Sequence, residues 1–106
     1  MSEILITASG VKIEVATFDF NDKMNWSDAT NACKALGDGW RLPTVEEFEL
    51  IFSDLFQKGK GNFQISYYWT CDEIMDDTAW DFYFVAGKAY GYFKSETYYV
   101  RAVRYI

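Results

Sequence analysis

Gly39-Trp40-Arg41-Leu42-Pro43-Thr44-Val45-Glu46-Glu47-Phe48 is the most constrained local stretch of the chain. It ends one element, runs extended through a proline and starts a helix. Pro43 removes a backbone donor and biases Leu42 toward an extended conformation, so the helix begins at about Thr44. Thr44 followed three residues later by Glu47 is a capping box: the hydroxyl accepts from the Glu47 N–H, and the Glu47 carboxylate reaches back to the Thr44 N–H. The acidic residues just after the cap also suit the positive end of the helix dipole.

The helix opened by this cap is expected to run to about Gln57. Phe48, Ile51, Phe52, Leu55 and Phe56 recur at helical spacing as its buried stripe, with Glu46, Glu47, Glu49 and Asp54 toward water. Before the stretch, Asn25 can cap a helix from about Trp26 to Leu36, with Trp26, Ala29, Ala32, Cys33 and Leu36 on its apolar face. Gly37 suits the left-handed position that ends it. Further back, Ile4–Thr7 and Val11–Val15 are short β-type runs around a turn at Gly10, followed by a polar loop pinned by Phe18 and Phe20.

After the second helix the pattern changes to period two. Lys58-Gly59-Lys60-Gly61-Asn62 is a loop. It follows a helix and lacks the Gly-Lys-Ser/Thr ending, so it is a poor phosphate loop. Tyr67–Cys71 reads as a strand and Asp72–Asp77 as an acidic loop. Ala79–Val85 is a strand with Trp80, Phe82 and Phe84 on one face and Asp81, Tyr83 and Val85 on the other. Ala86-Gly87-Lys88 turns into a returning strand, Ala89–Lys94, and Tyr98–Tyr105 is the last strand. Nothing between these strands is long enough for a crossover helix, so they form an antiparallel meander. Strands, two helices, then strands again define an α+β chain, expected as a single domain over residues 1–106.

Composition narrows the functional classes. With 20% aromatics in 106 residues, one core can form without staples, and some tyrosines must stay at the surface. A net charge of −6 repels phosphate backbones and anionic membranes, so neither nucleic acid nor a lipid surface is expected as partner. No apolar run is long enough for a membrane span, and no basic-plus-apolar leader is present, so the chain as given reads as cytoplasmic. The absence of histidine removes the commonest metal ligand and general base. Two cysteines, Cys33 and Cys71, cannot make a four-ligand zinc site. They are expected to be reduced, at least partly buried, and small hydrophobes in behaviour. Trp26, Trp40, Trp69 and Trp80 are read as core, and Arg101 and Arg104 as partners for the surplus carboxylates.

Met24-Asn25-Trp26, Ala29, Ala32-Cys33, Leu36 through Thr44, Tyr68-Trp69-Thr70, Ala79-Trp80 and Tyr99–Arg104 come in an order that closely resembles a bacterial family of unknown function. That family includes the C-terminal domain of collagen-like adhesins, the Lcl C-terminal domain. The resemblance covers roughly residues 24 to 104. It implies a C-type lectin-like fold: two helices on a twisted antiparallel sheet, with the terminal strands close together. Arg41-Leu42-Pro43-Thr44 is also similar to the formylglycine-generating enzymes, which use a related fold, a cysteine pair and bound copper. Cys33 and Cys71 each lack a second cysteine nearby, so that likeness carries the fold and not the catalysis. Calcium-dependent lectins place a Glu-Pro-Asn or Gln-Pro-Asp loop before a Trp-Asn-Asp strand. Pro43 is the only proline and Trp80-Asp81 lacks the intervening Asn, so sugar binding through calcium is not implied.

These readings define a non-enzymatic binding module without cofactor or metal, holding a protein or a glycan. The candidate surface joins the acidic segment Asp72, Glu73, Asp76 and Asp77 to Tyr90, Tyr92 and Lys94 of the returning strand. Tyrosine offers large, rigid contact area with a polar tip. The acidic segment lacks the Asp-x-Asp-x-Asp-Gly spacing of a calcium loop and reads as solvated. The alternatives are a structural or assembly domain of a phage or adhesin tip, working as an oligomer and surface- or phage-associated within a larger system, and a degenerate formylglycine-generating-type enzyme.

Overall fold

A computed structural model of the chain describes residues 2–106. Six strands and two helices follow in the order β1 (Glu3–Ile6), β2 (Lys12–Val15), α1 (Trp26–Ala35), α2 (Val45–Asp54), β3 (Tyr67–Met75), β4 (Thr78–Tyr83), β5 (Lys88–Phe93) and β6 (Val103–Tyr105). The strands are divided between two three-stranded antiparallel sheets, β1-β2-β6 and β3-β4-β5. The chain is thus α+β. Its first and last strands share a sheet, with β2 paired to β6.

The helices start where their caps require. The Asn25 side chain accepts from the Asp28 N–H, and both bonds of the Thr44–Glu47 capping box are made. α1 stops at Ala35, with Gly37 in the left-handed region at φ 75°. α2 ends at Asp54, short of Gln57. A single 3₁₀ turn, Phe56–Lys58, takes over and closes on left-handed Gly59.

The β3-β4-β5 sheet is packed on both faces, and register decides which residues go where. Tyr68 faces Phe82 across β3 and β4, and this face meets α2. There Phe48 stacks on Phe82 at 5.5 Å, and Phe52 and Phe56 lie against Phe84. Leu5, Ile13, Val15 and Val103 of the first sheet complete this core. On the opposite face Trp69 and Ala79 pack with Ala29 and Cys33 of α1 and with Leu42, Val100 and Ala102. Gly87, in the β4–β5 turn at φ 66°, must be glycine twice over. A Cβ there would lie 2.6 Å from the Phe52 ring.

The segment 98–102 ties the halves together. Tyr99 forms an isolated parallel bridge with Tyr68, Tyr98 an antiparallel one with Met24, and Arg41 pairs with Val103. The expected strand Tyr98–Tyr105 is therefore regular only over Val103–Tyr105, because its first half bonds alternately to β3 and to the loop before α1. Asp72–Met75 is also strand rather than loop. β3 continues past register shifts, pairing Glu73 with Ala79 and Met75 with Thr78, and only Asp76 and Asp77 form the turn. Such shifts let charged residues enter a strand end that is wet on both sides.

Five apolar expectations change. Trp80 is 38% exposed, although it shares a sheet face with buried Phe82. Trp26 and Trp40 are only partly covered, and Trp69 alone of the four is fully buried. Leu36, the C-cap of α1, and Phe18 are exposed. Phe20 alone packs against the core from that loop.

Candidate functional site

Most of the chain's arginines are spent on structure. Arg41 makes a two-pronged pair with Glu47, at 2.7 and 2.8 Å, and the same carboxylate accepts the Thr44 N–H at 2.9 Å. Burial alone would raise the Glu47 carboxyl. The guanidinium and the Thr44 N–H overcome that and hold it below its usual range. Arg101 has no solvent exposure. It donates to Asp19 at 2.8 Å and to the carbonyls of Ala16, Gly61 and Asn62, and lies 4.0 Å from the centre of the Phe63 ring. Asp19 also accepts the Tyr68 hydroxyl at 2.7 Å. Arg104 pairs with Glu14 at 2.7 Å. Arg101 and Arg104 thus meet carboxylates, as expected.

The seven sequence candidates do not converge. The Asp72 carboxylate accepts the Val45 N–H at 2.8 Å, so it is a second anionic cap on α2. It borders an open groove of about 810 Å³ between α2 and the β1–β2 turn, beside Thr44, Glu46 and Glu49. Glu73 and Lys94 lie elsewhere. The Lys94 ammonium is 2.9 Å from Glu73 and 2.9 Å from the Asp76 carbonyl, over the Trp26 ring at 4.3 Å. Asp76 and Asp77 are exposed at the turn. Among the described residues no three acidic or cysteine side chains gather as metal ligands would. Cys33 and Cys71 are free, and burial pushes their thiols up to about 12 and about 11, which makes both poor nucleophiles.

Tyr90 and Tyr92 do form part of a surface. They stand on the edge strand β5 at 45% and 47% exposure, paired with Asp81 and Ala79 of β4. Alternation places Tyr67, Tyr83, Tyr90 and Tyr92 on one face. Tyr67 stacks on Tyr83 at 4.0 Å and on Tyr98 at 5.2 Å, and Tyr83 meets Tyr90 edge-on at 6.3 Å. This is the same face that Trp69 and Ala79 present to α1. Half of it is covered, and the other half is an open shelf of tyrosines.

Asp81 sits at the border between the two halves. It pairs with Trp69 on one side and Tyr90 on the other, and is 1% exposed. Its Oδ1 has no hydrogen-bond partner among the described residues. Among the described residues the only other buried side-chain atom without a partner is Thr78 Oγ1. Burial raises the Asp81 carboxyl to about 7, against the opposing pull of the Tyr90 backbone and the Tyr98 hydroxyl. The sequence carries a signal for it: Asp81 is the one charge within Ala79-Trp80-Asp81-Phe82-Tyr83-Phe84-Val85.

Two helices flanking a three-stranded antiparallel sheet, with the termini joined in a second sheet, define a small α+β scaffold carrying an aromatic shelf. The match to a family model gives the particular family. The Lcl C-terminal domain model matches residues 7–104, nearly the whole chain, and the protein belongs to that family. Among curated proteins none matches it significantly. No helix among the described residues is long and apolar enough to cross a membrane.

Proposed function

We propose that this domain is a non-enzymatic binding module that engages its partner through the tyrosine shelf of the β3-β4-β5 sheet. The supporting observation is that Tyr90 and Tyr92 are left nearly half exposed on an edge strand, beside the stacked Tyr67–Tyr83 pair. Rigid aromatic rings with polar tips are the residues that dominate contact surfaces. The non-enzymatic part of the reading is supported by the raised thiols and by the lack of any histidine to act as base. Free thiols also fit a reducing compartment.

The test compares the native protein with the Tyr90→Ala/Tyr92→Ala double variant on a glycan array and in capture of protein partners. Binding present in the first and lost in the second, at an unchanged melting temperature, supports the shelf. Equal binding by both places the site elsewhere, and a large fall in melting makes the rings structural. A second reading, as an assembly domain, is favoured by Ile4 and Ile6, both exposed on the edge strand β1. Solution mass across a concentration series tests it: a constant monomer mass removes that reading.

A further inference from the structure

We propose that a protein partner docks on the open edge of β5, adding an extended peptide segment to the β3-β4-β5 sheet as a fourth strand. The inference rests on the tyrosine shelf being the binding surface, because alternate side chains of the added strand would lie beside Tyr90 and Tyr92. It names the form of the partner.

Hydrogen bonds at the ends of β4 fix which backbone groups of β5 are free. The Phe84 N–H donates to the Ser66 carbonyl on the β3 side at 3.1 Å, and the Tyr83 carbonyl accepts the Gly87 N–H on the β5 side at 2.8 Å. At the far end the Asp77 carbonyl accepts the Lys94 N–H at 2.8 Å, which is the same phase. Bonded and non-bonded pairs alternate along an antiparallel ladder. Lys88, Tyr90 and Tyr92 therefore bond to β4, opposite Tyr83, Asp81 and Ala79. The backbone groups of Ala89, Gly91 and Phe93 point away from the sheet. Among the described residues the Phe93 carbonyl alone finds a partner there, the Glu96 N–H at 3.0 Å. Five of the six residues of β5 are exposed.

Other sheet edges are occupied or shorter. β3 takes Tyr99 at Tyr68, β6 takes Arg41 at Val103, and β1 has four residues to the six of β5. β5 also lacks the usual guards of an open edge. It has no proline, no bulge against β4 and no charge between Ala89 and Phe93.

Both sides of this edge suit the alternating side chains of a peptide. Tyr90 and Tyr92 flank it on one face. On the other, Ile74 reaches over Gly91, where a Cβ would lie 2.5 Å from the Ile74 Cδ1. Trp80, paired with Gly91, and Phe93 are exposed beside it. A peptide residue facing Gly91 thus meets an apolar notch. Lys88 is exposed at the start of β5 and makes no ion pair among the described residues. It calls for an acidic residue in the peptide at the position opposite it. Size argues against a second copy as the occupant. The edge is about 20 Å long and about 5 Å deep. That is far short of the roughly 800 Å² per partner that two folded domains bury in a stable complex. A peptide ladder needs no more than such an edge.

The test uses short blocked peptides of alternating threonine and valine, with valine or serine at the centre and glutamate or lysine set to meet Lys88. Binding to the intact protein is read by calorimetry and by hydrogen exchange of single amides in NMR. In the free protein the amides of Ala89 and Gly91 are expected to exchange fast, and those of Tyr90 and Tyr92 slowly. The valine–glutamate peptide is expected to slow Ala89 and Gly91 roughly tenfold or more. Methylating the peptide nitrogens that face β5 is expected to weaken binding roughly tenfold or more. Methylating the alternate nitrogens is expected to weaken it far less. The serine and lysine peptides are expected to bind more weakly than the valine–glutamate peptide. No measurable binding of that peptide, unchanged exchange at Ala89 and Gly91, or equal loss from both methylation patterns overturns the proposal. Slow exchange at those amides in the free protein, with a doubled solution mass, overturns it in favour of a second copy. Should the peptides fail while Tyr90→Ala/Tyr92→Ala loses a partner that the native protein captures, the edge inference fails and the shelf stands. A peptide that slows Ala89 and Gly91 but binds native protein and Tyr90→Ala/Tyr92→Ala equally keeps the edge and overturns the shelf.

Discussion

Two corners of this molecule each bury an acid, and they treat it in opposite ways. At the start of α2, Glu47 takes two bonds from Arg41 and one from the Thr44 N–H, and its companion Thr44 caps the same helix. On the β3-β4-β5 sheet, Asp81 is buried to the same degree beneath tyrosines, with one oxygen unpaired. Partial satisfaction of a buried polar group is costly. A fold that had only stability to gain would be better served by an apolar residue at position 81. The completed corner offsets the burial of its acid, and the incomplete one leaves part of that cost standing in the fold.

The sharpest way to press this comparison is at the most complete polar centre, Arg101. Its removal would strand Asp19 and release the carbonyls of Ala16, Gly61 and Asn62 in one step. Breaking a buried pair by deleting one partner costs about 3–5 kcal/mol. Arg101→Leu is therefore expected to lose at least about 3 kcal/mol in chemical denaturation, a large share of the stability of a domain this size. A loss below about 1 kcal/mol would show that the centre is dispensable and would dissolve the contrast with Asp81.

Asp81→Asn should move the other way. The folded chain holds this carboxyl at about 7, above its ordinary 3.8, so the fold favours the protonated form. Stability of the native protein then falls as pH rises from about 4 to about 7 and levels off above. The whole difference is on the order of 4 kcal/mol. Asparagine removes the charge but brings an amide that also needs partners, so a gain of about 1–3 kcal/mol at pH 8 is expected, and little change near pH 4. Denaturant melts across that range measure it. A variant less stable than native at every pH would mean that the ionised acid is already paid for within the chain. Glu47 has the reverse sign: its lowered carboxyl gives stability that is lost as pH falls below about 4.5.

A smaller effect is expected at the cap. Thr44→Ala deletes the hydroxyl that accepts the Glu47 N–H at 3.0 Å but leaves the Arg41–Glu47 pair in place. The loss should be about 1 kcal/mol, with binding on the shelf unchanged. A loss of binding with Thr44→Ala would shift attention to the groove beside α2.

How much of this was legible in the sequence depends on distance along the chain. The capping box is written within four residues, and the structure makes both of its bonds. Strand alternation puts Tyr90 and Tyr92 on one face and Gly91 and Phe93 on the other, as the register has them. Lys94 lies just past the end of β5, where the alternation of side chains no longer applies. Alternation gives the side of a sheet but not what covers it. That Trp80 is partly open while Asp81 is enclosed depends on distant partners, such as Tyr98 packing on Tyr67 and Trp69 beside Asp81, and none of these is local. The Arg101–Asp19 pair joins residues 82 positions apart, with no spacing rule to announce it. Asp72 looked like a free loop acid because its partner, the Val45 N–H, lies 27 residues back at the start of α2.

The smallest expected change in stability is at the shelf itself, and it is the one that bears most on function. Tyr92 touches Phe93 and Tyr98 at ring distances of 5.7 and 6.4 Å, and Tyr90 touches Tyr83 at 6.3 Å. Both belong to an edge strand, and neither ring bonds to the core through its hydroxyl among the hydrogen bonds described above. Exposed positions of this kind change stability by about 0.5 kcal/mol, and β-propensity adds up to about as much again when alanine replaces an aromatic. Tyr92→Ala and Tyr90→Ala are each expected to melt within a few degrees of native, while partner binding falls by about 2 kcal/mol if the ring is a central contact. Thr44→Ala supplies the control, since it should melt lower than either and bind normally. If the tyrosine variants instead melt below Thr44→Ala, the rings are holding the β4–β5 hairpin together, and the open half of the sheet is structure rather than site.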